Sequence, residues 1–285
     1  ILPQQRAWSQ ARSLEEMDAA GVRKAYLSVP STPGVWFDAG PAEANRMARV
    51  CNEYAAQMVR EHPARFGFFA TLPMLDVEAS LRELEHAFGA LRADGVGLQT
   101  SYGDKWPGDA AYRPVLEELD RRKALVYFHP LAASCCGRLA DGVPPSMLEY
   151  PHDTTRAVAS LLSSGSLARY RNIRWLFSHG GGTVPMLAGR MEFFFRNAKN
   201  LKEIAPQGIE AELQRLYYDT ANATHRSAMA ALLQLVPSSQ VVFGSDHPYV
   251  TVAPQAAELA SLGLAPAVLA AIEGGNAERL LAGRA

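Results

Sequence analysis

Cysteine is scarce in this sequence: Cys51 and the adjacent pair Cys135-Cys136 are the only three. Neighbouring cysteines rarely bridge each other, so no disulfide framework is implied and a reducing, cytoplasmic setting is expected. No apolar run approaches the ~20 residues of a membrane helix, and no signal peptide opens the chain, so no membrane association is expected. Nor does either charge dominate. The 28 Lys and Arg against 29 Asp and Glu leave a net charge of −1, and no basic block stands out. Nucleic-acid and membrane-surface roles call for clustered cations, so the expected partner is a small molecule and no nucleic acid. A G-x-G-x-x-G turn is also absent, which speaks against an open dinucleotide-binding sheet. The first residue is Ile1 rather than methionine, so the natural start is expected upstream.

What is present is an ordinary core-forming composition, 48% hydrophobic and 20% charged, laid out as a β–α alternation. Strand patterns recur at 24–29, 66–72, 95–100, 124–130, 173–177 and 216–220, and in the run QVVF at 240–243. Helical patterns follow each, among them 41–61, a helix capped by Asp76, one read as capped by Asp153, and one over 185–199. No linker divides residues 1–285, so one domain is expected. Seven strands, each followed by a helix, fall one short of a (β/α)8 TIM barrel. Because the chain opens in a loop and then a helix begun at Ser13, the missing strand is expected to be the first, upstream of Ile1.

Three strands end in chemistry. ALVYFHP delivers His129, IRWLFSHGGG delivers His179, and QVVFGSDHPY delivers Asp246 and His247. A parallel barrel gathers the C-terminal ends of its strands around one mouth, so these residues are expected to converge. A lone histidine at a strand end is often structural, but at this mouth a neutral imidazole such as that of His129 suits a borderline divalent metal. His179 is followed by three glycines that form a turn or leave its ring uncovered, as a general acid/base requires. A carboxylate ending an apolar strand must be paired, protonated or metal-bound, and for Asp246 metal is favoured. His247 either supports the ligands from behind or is a loop histidine.

The set His129-Pro130, SHGGG at 178–182, GSDHP at 244–248 and the terminal GNAERLL resembles the amidohydrolase-2 branch of the amidohydrolase superfamily, and in particular its aminocarboxymuconate-semialdehyde and γ-resorcylate decarboxylases. The resemblance spans essentially the whole chain. It implies a barrel with His129 as a metal ligand, Asp246 as the carboxylate ligand and also a catalytic group, and His179 as the catalytic histidine. It implies that Arg190 crosses a homodimer interface to bind the substrate carboxylate. The family's first strand carries an H-x-H pair, and this sequence contains no H-x-H: either the pair belongs to the missing strand upstream, or half of the metal site is lost. The tryptophan that the decarboxylases place just before the PHDTT-like helix is also lacking, since 146–150 reads SMLEY.

The expected function is therefore a metal-dependent, non-oxidative decarboxylase of a small aromatic or muconate-like carboxylic acid, with Zn²⁺ first and Mn²⁺ as the alternative. Trp36 and Phe37, in the loop after the first strand pattern, either wall the substrate ring or pack under the loop. Two rivals stand beside this reading. One is a hydrolase of a lactone or amide using the same ligands. The other is a metal-free binding protein on a retained barrel, against which the joint presence of His129, His179 and Asp246 argues.

Overall fold

The computed structural model describes residues 6–30, 40–133 and 141–283. Trp36, Phe37 and the Cys135-Cys136 pair lie outside the described residues. Seven strands form one all-parallel sheet in sequence order: β1 (Ala25–Leu27), β2 (Phe66–Thr71), β3 (Gly95–Gln99), β4 (Leu125–His129), β5 (Arg174–Phe177), β6 (Tyr217–Asp219) and β7 (Val241–Val242). Every neighbouring pair is parallel, with registers such as Gln99 opposite His129 and Phe128 opposite Phe177. The principal helices are α1 (Gln10–Ala19), α2 (Pro41–Glu61), α3 (Val77–Gly89), α4 (Arg113–Arg121), α5 (Pro145–Ser163), α6 (Val184–Phe195), α7 (Arg226–Leu235), α8 (Val252–Ala260) and α9 (Asn276–Ala282). Among the described residues no strand pairs β7 to β1, so the curled sheet has seven of the eight strands of a TIM barrel. No described helix is long and apolar enough to cross a membrane.

The strands are apolar on both faces because both faces are covered. Val126 and Phe128 belong to the layer between sheet and helices, where Phe128 stacks on Phe177 at 5.0 Å and on Trp175 at 6.0 Å. The alternate residues Leu125 and Tyr127 belong to the inner cluster with Phe69, Leu176 and Val242, closed by Leu280 of α9. Strand alternation therefore puts His129 on the inner face, above Tyr127. The N-terminal segment is tied to the β7 side: the Val252 amide donates to Glu16 of α1 at 2.8 Å, and Arg23, between α1 and β1, pairs with Glu278 of α9.

Two local expectations change. The cap of α1 is Ser9, whose side chain accepts from the Arg12 amide, while Ser13 is buried inside the helix. Asp153 is not a cap either, because α5 begins at Pro145 and carries Asp153, fully buried, in its interior.

Asn276 anchors the C-terminal helix: its buried amide donates to the carbonyls of Ser238 at 2.7 Å and Val241 at 2.6 Å. Asn276→Ala strands both carbonyls and is expected to lower unfolding free energy by about 2 kcal/mol, read from urea denaturation. A loss below ~0.5 kcal/mol would show that the anchor is redundant.

Candidate metal centre and active site

His129 sits at the last position of β4, where the Thr100 amide donates to its carbonyl at 3.1 Å and extends the ladder. The residue is 7% exposed, and among the described residues neither ring nitrogen has a hydrogen-bond partner. Buried polar atoms are normally satisfied, so an imidazole with two unpartnered nitrogens needs a ligand. Asp246 Oδ1 lies 3.6 Å from His129 Nε2. Two ligands each ~2.1 Å from one ion are at most ~4.2 Å apart, so this pair can share a metal. His179 completes the cluster: donor atoms of His129, His179 and Asp246 all lie within 4.8 Å of one another. The His129 and His179 rings meet edge to face at 5.6 Å. An imidazole and a carboxylate at that separation, with a second imidazole beside them, suit a borderline divalent ion held by His129 and Asp246, and the residues present fit one.

The loops that bring these groups together are bent tightly. Of the five non-glycine residues with positive φ among those described, His179 (55°), Asn222 (51°) and Asp246 (59°) all belong to this site. Such backbone costs about 1–3 kcal/mol per residue and persists only where surrounding contacts over-determine it. The contacts are visible. The His179 amide donates to Asp219 Oδ1 at 2.8 Å, and its Nδ1–H donates to the Ala221 carbonyl at 2.8 Å, leaving Nε2 to the site. Asn222 Nδ2 donates to Asp246 Oδ2 at 2.8 Å. Two of the glycines after His179 are required by packing as well as by positive φ, since a Cβ on Gly181 would lie 2.5 Å from the Tyr218 ring and one on Gly182 2.0 Å from the Pro151 carbonyl.

Beneath the cluster, Asp219 at the end of β6 accepts from the Tyr127 hydroxyl at 3.1 Å. Burial raises the Asp219 carboxyl pKa, opposed by nearby His179 and the bonds it accepts. The Tyr127 phenol is held well above its ordinary value by desolvation and by the charges of Asp219 and Asp246.

His247 turns away. Its Nε2 lies 3.4 Å from Ser13 Oγ on α1, and it lines a groove of about 500 Å³ with Trp8, Arg12, Glu15 and Glu16. Burial lowers its pKa, opposed by Glu16. Arg190 is exposed on α6 with its guanidinium 5.0 Å from the Phe194 ring. Asn222, Asp219 and Tyr127 escaped the sequence reading. Of the three, Asp219 carried a signal, since LYYDT is a further apolar strand ending in a carboxylate.

Comparison with known proteins places this geometry in a family. The amidohydrolase family model matches residues 3–283. The chain is 36% identical over 264 residues to decarboxylase yanB of Aspergillus niger, covering 88% of this chain and 70% of that protein. It is 36% identical over 230 residues to 6-methylsalicylic acid decarboxylase of Penicillium expansum, covering 80% and 71% respectively. Its fold superposes with a TM-score of 0.87, at 24% identity and over 96% of this chain and 86% of the other, on a dihydroxybenzoic acid decarboxylase from Polaromonas sp. solved with bound manganese and 2-nitroresorcinol. With its matched span running nearly end to end and its strand-end histidines and aspartate gathered at one mouth, this chain belongs to the amidohydrolase family.

Proposed function

We infer that this chain is a metal-dependent, non-oxidative decarboxylase of a small aromatic carboxylic acid. The observation that carries the reading is the buried His129 ring facing Asp246, neither of its nitrogens partnered among the described residues, in a chain whose relatives at 36% identity are named decarboxylases. A hydroxybenzoic acid of the 6-methylsalicylate type is the substrate class that the relatives favour over a muconate. His129 and Asp246 hold the ion, Zn²⁺ by its donor set, with Mn²⁺ as the alternative that a fold neighbour carries. A divalent ion there supplies Lewis acidity toward the substrate's oxygens.

His179 and Asp246 handle the proton. Breaking the bond between ring carbon and carboxylate releases CO₂ and leaves the electron pair on carbon, where one proton replaces it with no change of oxidation state. With Nδ1–H committed to the Ala221 carbonyl, Nε2 is the nitrogen that takes a proton up from water, giving the imidazolium, and hands it to the ring carbon, which returns His179 to the neutral Nδ1–H form. Incubating metal-loaded protein with 6-methylsalicylate is expected to release CO₂ and 3-methylphenol in equal amounts. Hydrolysis of a lactone or amide panel with hydroxybenzoates left untouched would sink the reading in favour of a hydrolase.

The working assembly is a cytoplasmic homodimer in which Arg190 binds the substrate carboxylate of the partner's site. The support is that α6 leaves the SHGGG turn with Met186, Phe193 and Phe194 exposed beside Arg190, an apolar face unusual on a monomer. A guanidinium grips a carboxylate bidentately, so Arg190→Ala is expected to raise KM about tenfold or more with the metal retained. Co-expressed Arg190→Ala and His179→Ala subunits are expected to recover activity above either parent, since one site of each hybrid has both groups. No recovery, or an active monomer, removes Arg190 from the site.

A further inference from the structure

The loop after β6 grips both sides of the site, and nothing in the family motifs accounts for it. Asp219 Oδ1 accepts two backbone amides at once, that of His179 at 2.8 Å and that of Ala221 at 3.0 Å. The Ala221 carbonyl in turn accepts His179 Nδ1–H, and Asn222, one residue on, holds Asp246. Asp219 is itself fixed from below by the Tyr127 hydroxyl on Oδ2. Space is reserved for it too: a Cβ on Gly244 would come within 2.8 Å of Asp219 Cγ, so the glycine of GSDHP is there because the carboxylate occupies that volume.

From this we propose that Asp219 is the positioning residue for His179, holding the His179 and Ala221 amides on one carboxylate oxygen so that the ring's Nδ1–H must bond the Ala221 carbonyl and its Nε2 must face the site. The role deepens the function given above and rests on His179 passing the proton through Nε2, which the Nδ1–H tautomer leaves free to take a proton up and hand it on. A neutral imidazole has two tautomers of similar energy in water, and the one populated in a protein is set by the bond its other nitrogen makes. Here that bond exists only while the Ala221 carbonyl is aimed at the ring. Without the clamp, His179 has no reason to stay at φ 55°, because the backbone is disfavoured there and its amide has lost its acceptor. Asp219 touches neither His129 nor Asp246 by hydrogen bond, so its action on turnover runs through His179.

The test compares Asp219→Ala, Asp219→Asn and His179→Gln. Histidine ¹⁵N spectra of the metal-free proteins read the tautomer of His179, assigned by the signal lost in His179→Gln. Asparagine keeps an oxygen for both amides, and its NH₂ can donate to Tyr127, so it is expected to keep the Nδ1–H tautomer and lose less than about fivefold in kcat. Alanine is expected to give mixed tautomers and to lower kcat about 30-fold or more with KM within twofold, in the range of lost orienting contacts. Should Asp219→Ala not fold, Gly244→Ala displaces the carboxylate sterically and is expected to mix the tautomers in the same way. An unchanged His179 spectrum in the alanine variant, or an asparagine variant as slow as alanine with its spectrum intact, overturns the positioning role. A fully active His179→Gln would instead overturn the proton-donor reading and leave the tautomer result standing.

Discussion

Protein carrying His129→Ala is expected to lose its divalent ion and its activity without losing its fold. Removing a buried imidazole leaves a small cavity, which costs stability, but it also removes two polar nitrogens that no atom of the described residues satisfies. A buried unsatisfied group costs about 1–3 kcal/mol, so the two effects oppose each other and metal-free stability is expected to change by less than ~1 kcal/mol. The loaded proteins diverge. At a metal concentration ~100 times Kd the native chain gains about 2.7 kcal/mol, on the order of 5–10 °C in Tm, and the variant gains none. Catalysis should fall about a thousandfold or more, since the ion's charge stabilisation is worth several kcal/mol of barrier. Thermal melts with and without Zn²⁺ or Mn²⁺, beside metal analysis and CO₂ release, decide it. A variant that still binds one ion per chain would remove His129 from the ligand set.

The barrel is legible in the sequence because its strands are covered on both faces. FGFFAT and LVYFH read as unbroken apolar runs, and β2 and β4 fall on them almost to the residue. QVVFGSD looks the same yet contributes only Val241 and Val242 to the sheet, because the Phe243 amide donates to the Ile272 carbonyl instead of continuing the ladder. That bond reaches a segment some thirty residues later, and no local pattern encodes it. The site divides similarly. His129, His179 and Asp246 announce themselves by following apolar runs, and the fold brings all three together. What holds them does not announce itself. Asp219 reaches His179 across forty positions of sequence, and Asn222 reaches Asp246 across twenty-four, through loops whose curvature comes from positive φ rather than from composition.

Asp153→Ala is expected to be the most destabilising single change near the site, about 4 kcal/mol. The sequence PHDTT suggests a helix cap, a feature worth ~1 kcal/mol. In the fold α5 starts roughly two turns earlier, and the fully buried carboxylate accepts from Thr100 Oγ1, from Ser101 Oγ at 2.9 Å and from Trp106 Nε1 at 2.9 Å, with Arg156 at 3.7 Å. Truncation leaves two hydroxyls and an indole N–H without the acceptor they share, while Arg156 keeps its bond to Glu149 at 3.2 Å, and stranding the three donors of this hub at about 1–3 kcal/mol each accounts for the expected loss. The damage also travels to the metal centre. Thr100 donates its amide to the His129 carbonyl and accepts the Leu131 amide on Oγ1 at 3.3 Å, so it fixes both ends of the His-Pro step. Metal affinity is therefore expected to fall about tenfold as well, the usual effect of losing an orienting partner. Asparagine offers one acceptor oxygen but turns an N–H toward one of the donors, so Asp153→Asn should fall between alanine and the native chain in both measurements. Urea denaturation of the metal-free proteins and metal titration of the folded ones read the two effects separately. If Asp153→Ala unfolds within ~1 kcal/mol of the native chain, the hub is not a hub, and if stability falls with metal affinity unchanged, Thr100 does not transmit it to His129.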